Sequence, residues 1–186
     1  MRKARVIWLG LAIIFGGLLS FITAQEGQQE QKNKAPDSVT VELKNAQGES
    51  VGTAVISATG KMGVRIKLDV KNLPAGQHAI HFHEMAKCEG PTFETAGEHF
   101  NPESKKHGLK NPQGPHVGDM NNFTVRRDGT STQTVTNRHA MLSADGTHSL
   151  FGPNGTSLVI HASPDDQKTD PAGNSGDRIA CGVVSK

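Results

Sequence analysis

At 186 residues, with 34% hydrophobic and 4% aromatic side chains, the chain has the length of one ordinary domain and can bury a core without depending on disulfides alone. The formal charge of +2 misleads, because Arg2, Lys3 and Arg5 precede an apolar run; without these three, 17 basic side chains face 18 acidic ones. Such a balance excludes the basic footprint of a nucleic-acid binder.

Residues 1–24 read as a secretory signal, with a basic start, an uncharged stretch over 6–24 and the ending Phe21-Ile22-Thr23-Ala24. The 19 uncharged residues are also just long enough to span a bilayer, and Ile22 is a poor small residue two places before a cut after Ala24. Two expectations therefore stand together: a cleaved signal peptide, or an N-terminal membrane anchor that tethers the protein through residues 6–24. Either implies export, to the outside, to a periplasm or to the outer face of the cell membrane. No cysteine lies near this segment, which excludes a lipid anchor on an N-terminal Cys. Residues 25–37 are rich in Gln, Glu, Lys and Gly with little that is apolar, and read as a disordered linker.

The domain is expected over residues 38–186. Residues 39–43 alternate apolar and polar, Gln47-Gly48 marks a turn, and residues 51–56 form a second run, which together read as a hairpin. Val64, Ile66, Leu68 and Val70 share one strand face and Arg65, Lys67 and Asp69 the other. Weaker strands are expected at 123–125, 131–135, 157–160 and 179–184. Short strands, turn-rich punctuation and no long 3.6-residue period predict an all-β, antiparallel sandwich or barrel. Two long non-strand segments, 85–122 and 162–177, are too long to be idle connections and read as functional loops. Cys88 and Cys181 are the only cysteines, both in the exported part, where a disulfide is expected ahead of two free thiols or a soft-metal site. Closing so long a loop would contribute about 4.5 kcal/mol in the chain-entropy picture.

Six of the nine histidines fall within residues 77–122, a density that points to metal. His81 and His83 are two apart, so both imidazoles leave one strand face while Phe82 turns to the core. His161 ends the run Leu158-Val159-Ile160, and a strand can carry it to the same patch. His99, His107, His116 and Asp119 lie within 21 loop residues and could fill a tetrahedral zinc shell. These seven ligands are too few for two separate four-coordinate sites. They suffice if one imidazole bridges two metals, one closed and suited to zinc, the other held only by imidazoles and suited to redox-active copper.

The motifs Gly76-Gln77-His78-Ala79-Ile80-His81-Phe82-His83-Glu84, Ala96-Gly97-Glu98-His99-Phe100-Asn101-Pro102, Lys106-His107-Gly108, His116-Val117-Gly118-Asp119, Leu158-Val159-Ile160-His161 and Gly173-Asn174-Ser175-Gly176-Asp177-Arg178-Ile179-Ala180-Cys181-Gly182 resemble, in order and spacing across residues 38–186, the copper/zinc superoxide dismutases, of the bacterial exported type. The resemblance implies a Greek-key β-barrel. It implies copper ligands His81, His83, His99 and His161, zinc ligands His99, His107, His116 and Asp119, and His99 as the bridge. It further implies a Cys88–Cys181 disulfide, Arg178 as the cation that attracts superoxide, and Asp165 as the carboxylate that joins copper-side and zinc-side histidines. The activity implied is dismutation of superoxide to dioxygen and hydrogen peroxide, with His99 and Arg178 catalytic and copper and zinc as cofactors. A non-catalytic copper/zinc-binding protein of the same fold is the alternative.

The segment between His161 and Arg178 is shorter than in animal members, and Glu98 stands where an uncharged residue is common. The charges that steer substrate in animal members therefore do not transfer, and subunit contacts differ enough that a monomer and a homodimer both fit. A zinc hydrolase built on H-x-H-x-D-H fails at Met85 and Ala86. Of the other residues, His78 is expected on the opposite strand face with a structural hydrogen bond, and His139, His148 and Lys105-Lys106 as solvated loop residues. Without the motif, Arg178 would be assigned a salt bridge to Asp177.

Overall fold

The computed structural model describes residues 36–60 and 62–186. The expectations for residues 1–24 and 25–35 lie outside the described residues.

Alternation builds the first part of the barrel. Strands β1 (Ser38–Asn45), β2 (Ser50–Ala58) and β3 (Val64–Val70) form an antiparallel meander. Val41 and Leu43, Ala54 and Ile56, and all four apolar residues of β3 are buried, while Arg65, Lys67 and Asp69 face outward. The β1–β2 turn is organised by Asn45, whose Oδ1 accepts the backbone N–H groups of Gln47 at 3.0 Å and Glu49 at 2.9 Å. Asp37, expected in the linker, already holds the barrel: its carbonyl accepts the Ala58 N–H at 3.2 Å.

Past the meander come β4 (Gly76–His78), β5 (Ile80–His83), β6 (Phe123–Val125), β7 (Thr134–Asn137), β8 (Thr156–His161) and β9 (Arg178–Val184). Seven strands form one curled antiparallel sheet in the order β5-β8-β9-β1-β2-β3-β7, and β4 pairs with β6 separately. The chain crosses from β3 to the far edge at β5 and returns through β8 and β9 to lie beside β1, which is the Greek-key pattern. The strand expected at 131–135 is displaced: Ser131 makes only an isolated bridge to Val70, and regular pairing starts at Thr134. The three-residue β4 is too short for its alternation to register.

One apolar core runs through the barrel, with Phe82, Phe123, Ile66, Leu158 and Ile160 among its members. Every residue of β5 and β8 is buried, so these strands lack the wet face that β3 has. The reason is the long loops, which cover their outer face. Loop 84–122 hydrogen-bonds to β5: Phe100 N–H donates to Phe82 O (2.8 Å), Phe82 N–H to Gly118 O (3.1 Å), and Gly118 N–H to Phe100 O (2.8 Å). A side chain on Gly118 would collide with the Phe82 carbonyl, so only glycine permits this approach. A disulfide joins Cys88 to Cys181 of β9 and, with Phe93, Ala96 and Val159, forms a second small core that fixes the loop to the sheet.

Candidate metal centre

The first group of histidines is mounted on strands. On β5, Ile80 and Phe82 point into the core and His81 and His83 point under the loops. The neighbouring β8 pairs Val159 with His81, and a register shift between Ile160 and His161 sets His161 opposite Arg178. An isolated bridge to His83 brings in His99 from the loop. Ligand atoms of His81, His83, His99 and His161 all lie within 4.8 Å of one another. Each outer nitrogen is engaged, which fixes the tautomer and leaves the inner nitrogen free. His83 Nδ1–H donates to Gly97 O at 3.0 Å, His161 Nδ1–H to Gly176 O at 3.2 Å, and His81 Nε2–H to Asp165 Oδ2 at 3.0 Å. The inner nitrogens include His83 Nε2 and His161 Nε2, 3.4 Å apart, and His81 Nδ1 and His99 Nε2, which are buried without a partner.

The second group is mounted on the loop and gathered by one carboxylate oxygen. Asp119 Oδ1 lies 3.1 Å from His99 Nδ1, 3.0 Å from His107 Nδ1 and 3.5 Å from His116 Nδ1. Its Oδ2 accepts the backbone N–H of Gly108 at 2.8 Å and of His116 at 2.9 Å, so the carboxylate shapes the loop that surrounds it. Outer nitrogens are again held, with His116 Nε2–H on Lys105 O (3.1 Å) and His107 Nε2–H on Asp165 Oδ1 (2.9 Å). His99 presents Nδ1 to this group and Nε2 to the other.

Asp165 stands between the groups, one oxygen on His81 and one on His107. Asn122 holds it in turn, its Oδ1 accepting Asp165 N–H at 2.9 Å and its Nδ2–H donating to Asp165 O at 2.9 Å. Gly173, at φ 64°, passes so close that any side chain there would strike Asp165 and His107. Arg178 is half-buried, and it makes no bridge to Asp177. Its two terminal nitrogens donate to Phe93 O and Gly97 O, both at 2.7 Å. The Gly97 carbonyl thus holds both Arg178 and His83.

His78 is buried and takes the structural role expected, with Nδ1 2.8 Å from His161 O and Nε2 2.8 Å from Pro74 O. One expectation is corrected. His148 is not simply solvated: Nε2 lies 2.9 Å from Glu103 Oε1 and Nδ1 3.0 Å from His139 O. Lys105 and Lys106 are exposed, as expected, and pair there with Glu103 and Asp170. The supporting carbonyls of Phe93, Gly97, Lys105 and Gly176 escaped the sequence, because a backbone acceptor leaves no mark on residue identity. Asn122 carried a weak signal as a polar residue at the end of the histidine-rich stretch.

Burial and neighbouring histidines keep most of the cluster neutral. His81 is lowered to about 4 by burial and then by His161, His99 to about 3 by burial and then by His81, and His161 to about 4 by burial and then by His99 and Arg178. His83 is lowered in the same way, by burial first and His99 second. His107 differs: burial pushes it down, but hydrogen bonds to Asp119 and Asp165 outweigh that and raise it to about 9. Burial likewise pushes Asp119 and Asp165 up, and their histidine partners more than reverse it, holding both below the usual carboxylate range. In the first group neutral imidazoles with buried, unpartnered nitrogens lack only a cation, and in the second three Nδ1 atoms converge on an ionised carboxylate, where a cation would displace the proton that His107 holds. On that observation the residues fit two metal ions, one in each group.

The barrel and these groups define a class: Greek-key β proteins with two adjacent metal sites that one histidine faces on both sides. The chain belongs to the copper/zinc superoxide dismutase family, whose description, copper/zinc superoxide dismutase (SODC), matches residues 50–184. It is 45% identical over 175 residues to superoxide dismutase [Cu-Zn] 2 of Aquifex aeolicus (strain VF5), covering 94% of this chain and 98% of that protein. Among solved structures, a SOD-like protein from Bacillus subtilis superposes with a TM-score of 0.75 at 35% identity, over 78% of this chain and 97% of that one. Cu/Zn superoxide dismutase from Brucella abortus gives 0.64 at 29% identity, over 80% and 99%.

Proposed function

We propose that the protein dismutes superoxide, turning two superoxide anions and two protons into one dioxygen and one hydrogen peroxide. The observation that carries this reading is the pair of buried groups that share His99, one lined by imidazoles alone and the other by three imidazoles and a carboxylate. By ligand chemistry the first suits copper, with His81, His83, His99 and His161 as ligands, and the second zinc, with His99, His107, His116 and Asp119. Copper, when bound, supplies one-electron redox chemistry, and zinc supplies a fixed positive charge on His99.

The chain's own residues do the rest. Arg178, cross-strand from His161 and held by two carbonyls, draws the anion to the mouth and fixes it beside the imidazole cluster. His99 Nε2 is buried and has no other partner, so when free it takes up a proton and delivers it to the reduced oxygen. Asp165 and the Gly97 and Gly176 carbonyls keep the surrounding rings in place, so the site need not reorganise between the two half-reactions.

Export is part of the proposal. The signal-like segment over residues 1–24 and the Cys88–Cys181 disulfide, a bond typical of oxidising compartments, both support it. Pulse radiolysis of the chain loaded with copper and zinc tests the activity. Superoxide should vanish far faster than with the same amount of free copper; uptake of both metals without that acceleration would make the protein a metal store.

A further inference from the structure

Asp170 is exposed on loop 162–177, yet its Oδ1 accepts the backbone N–H of fully buried His107 at 2.8 Å. Its Oδ2 accepts Lys106 Nζ–H at 2.8 Å, and Oδ1 lies 4.0 Å from His116 Nε2. His107 is therefore gripped twice from one loop, at the ring by Asp165 and at the backbone by Asp170. The loop that presents Asp170 is itself built for the purpose. Asp166 accepts the N–H groups of Lys168 at 2.9 Å and Thr169 at 2.8 Å and Asn174 Nδ2–H at 2.9 Å. Two further bonds join the loops on the same side, Lys110 N–H to Gln167 O at 3.0 Å and Asn111 Nδ2–H to Lys168 O at 3.2 Å.

We infer that Asp170 is a positioning residue for the zinc site, holding His107 and the turn that carries it through the His107 backbone N–H. The inference rests on the zinc assignment made above. An exposed lysine–carboxylate pair contributes little, because water and salt screen it. The N–H of a buried residue, donated to an ionised carboxylate, makes a stronger bond, and its loss leaves a buried donor unsatisfied. The operative contact is thus the one to His107 N–H, and Lys106 is secondary.

The test uses the full chain loaded with copper and zinc and measures zinc affinity by competition with a chromogenic chelator. A parallel sample carries cobalt(II) in the zinc site, and its visible d–d bands report the ligand geometry. D170A should lower zinc affinity about 10-fold, the low end for removing a partner of a metal ligand, and should shift the cobalt bands. K106A should change affinity less than about 2-fold, as an exposed ion pair predicts. D170N keeps an oxygen acceptor for the same N–H, so it should recover part of the loss, and it carries the test if D170A does not fold. Wild-type affinity in D170A, or a K106A loss as large as that of D170A, would overturn the inference. Wild-type protein that takes up no zinc at all would instead overturn the zinc assignment, a result visible before any variant is compared.

Discussion

The two halves of the centre are built by different means. His81, His83 and His161 stand on paired strands, where the sheet register sets their spacing and the core behind Phe82 and Ile160 sets their direction. His107, His116 and Asp119 stand on a loop without regular pairing, and side-chain contacts must replace the ladder. Asp119 draws three Nδ1 atoms towards one oxygen, while Asp165 and Asp170 reach over from the second loop. A strand fixes its ligands as a by-product of folding; a loop must be fixed contact by contact.

That contrast can be broken most severely at the residue both halves share. H99A should lower the affinity of both sites, by about 100-fold or more, beyond what loss of an outer partner causes, and should abolish dismutation. H107A should loosen mainly zinc and its loop. Metal titration of the two variants checks this, and equal, purely copper-specific losses in both would contradict a bridging His99.

The next prediction separates loop from barrel. C88S/C181S removes the tie between loop 84–122 and β9, and should destabilise the metal-free chain by about 2–5 kcal/mol. Urea unfolding measures the loss. Hydrogen exchange should then rise first around Phe93 and His99, while β1 to β3 stay protected; uniform exposure would contradict a separately anchored loop.

Below pH 6.5, acid should act on both halves of the metal-free protein in the same direction. His81 and His161 titrate at about 4 and His99 at about 3 when folded, against an ordinary value of 6.5. Between 6.5 and about 4 the unfolded chain therefore binds more protons, and stability falls as pH falls. Asp119 and Asp165, held below the usual carboxylate range, add loss in the same direction at still lower pH. His107 has the opposite sign: raised to about 9, its contribution is full below 6.5 and fades as pH rises to about 9. The thermal midpoint of the metal-free chain should peak near neutrality, and a midpoint that rises from pH 6.5 down to 4 would contradict these shifts.

The smallest expected effect lies at the mouth. Glu98 is exposed, adjoins His99 and acts on Arg178 together with Glu94. E98Q should therefore speed reaction with the anion by about 2-fold at low salt. The gain should shrink at ~0.15 M salt, where the screening length is about 8 Å. A slower E98Q enzyme, or a salt-independent gain, would show that Glu98 does something other than repel the substrate.

Much of this was legible along the chain. The alternation of β3, the His81-Phe82-His83 triplet on one strand face and the crowding of His99, His107, His116 and Asp119 are local patterns, and local patterns survive in a one-dimensional sequence. The His148–Glu103 and Lys106–Asp170 contacts were not legible, because the partners are 45 and 64 residues apart.

The sequence by itself determined the all-β character, the two ligand clusters and their residue types, because strand periodicity and ligand chemistry are properties of neighbouring residues. Only the tertiary structure decided which nitrogen of each histidine is free, what carries Arg178 and how the second loop grips the first. Those depend on backbone carbonyls, a register shift before His161 and carboxylates from distant segments, which meet only when β5, β8 and β9 lie side by side.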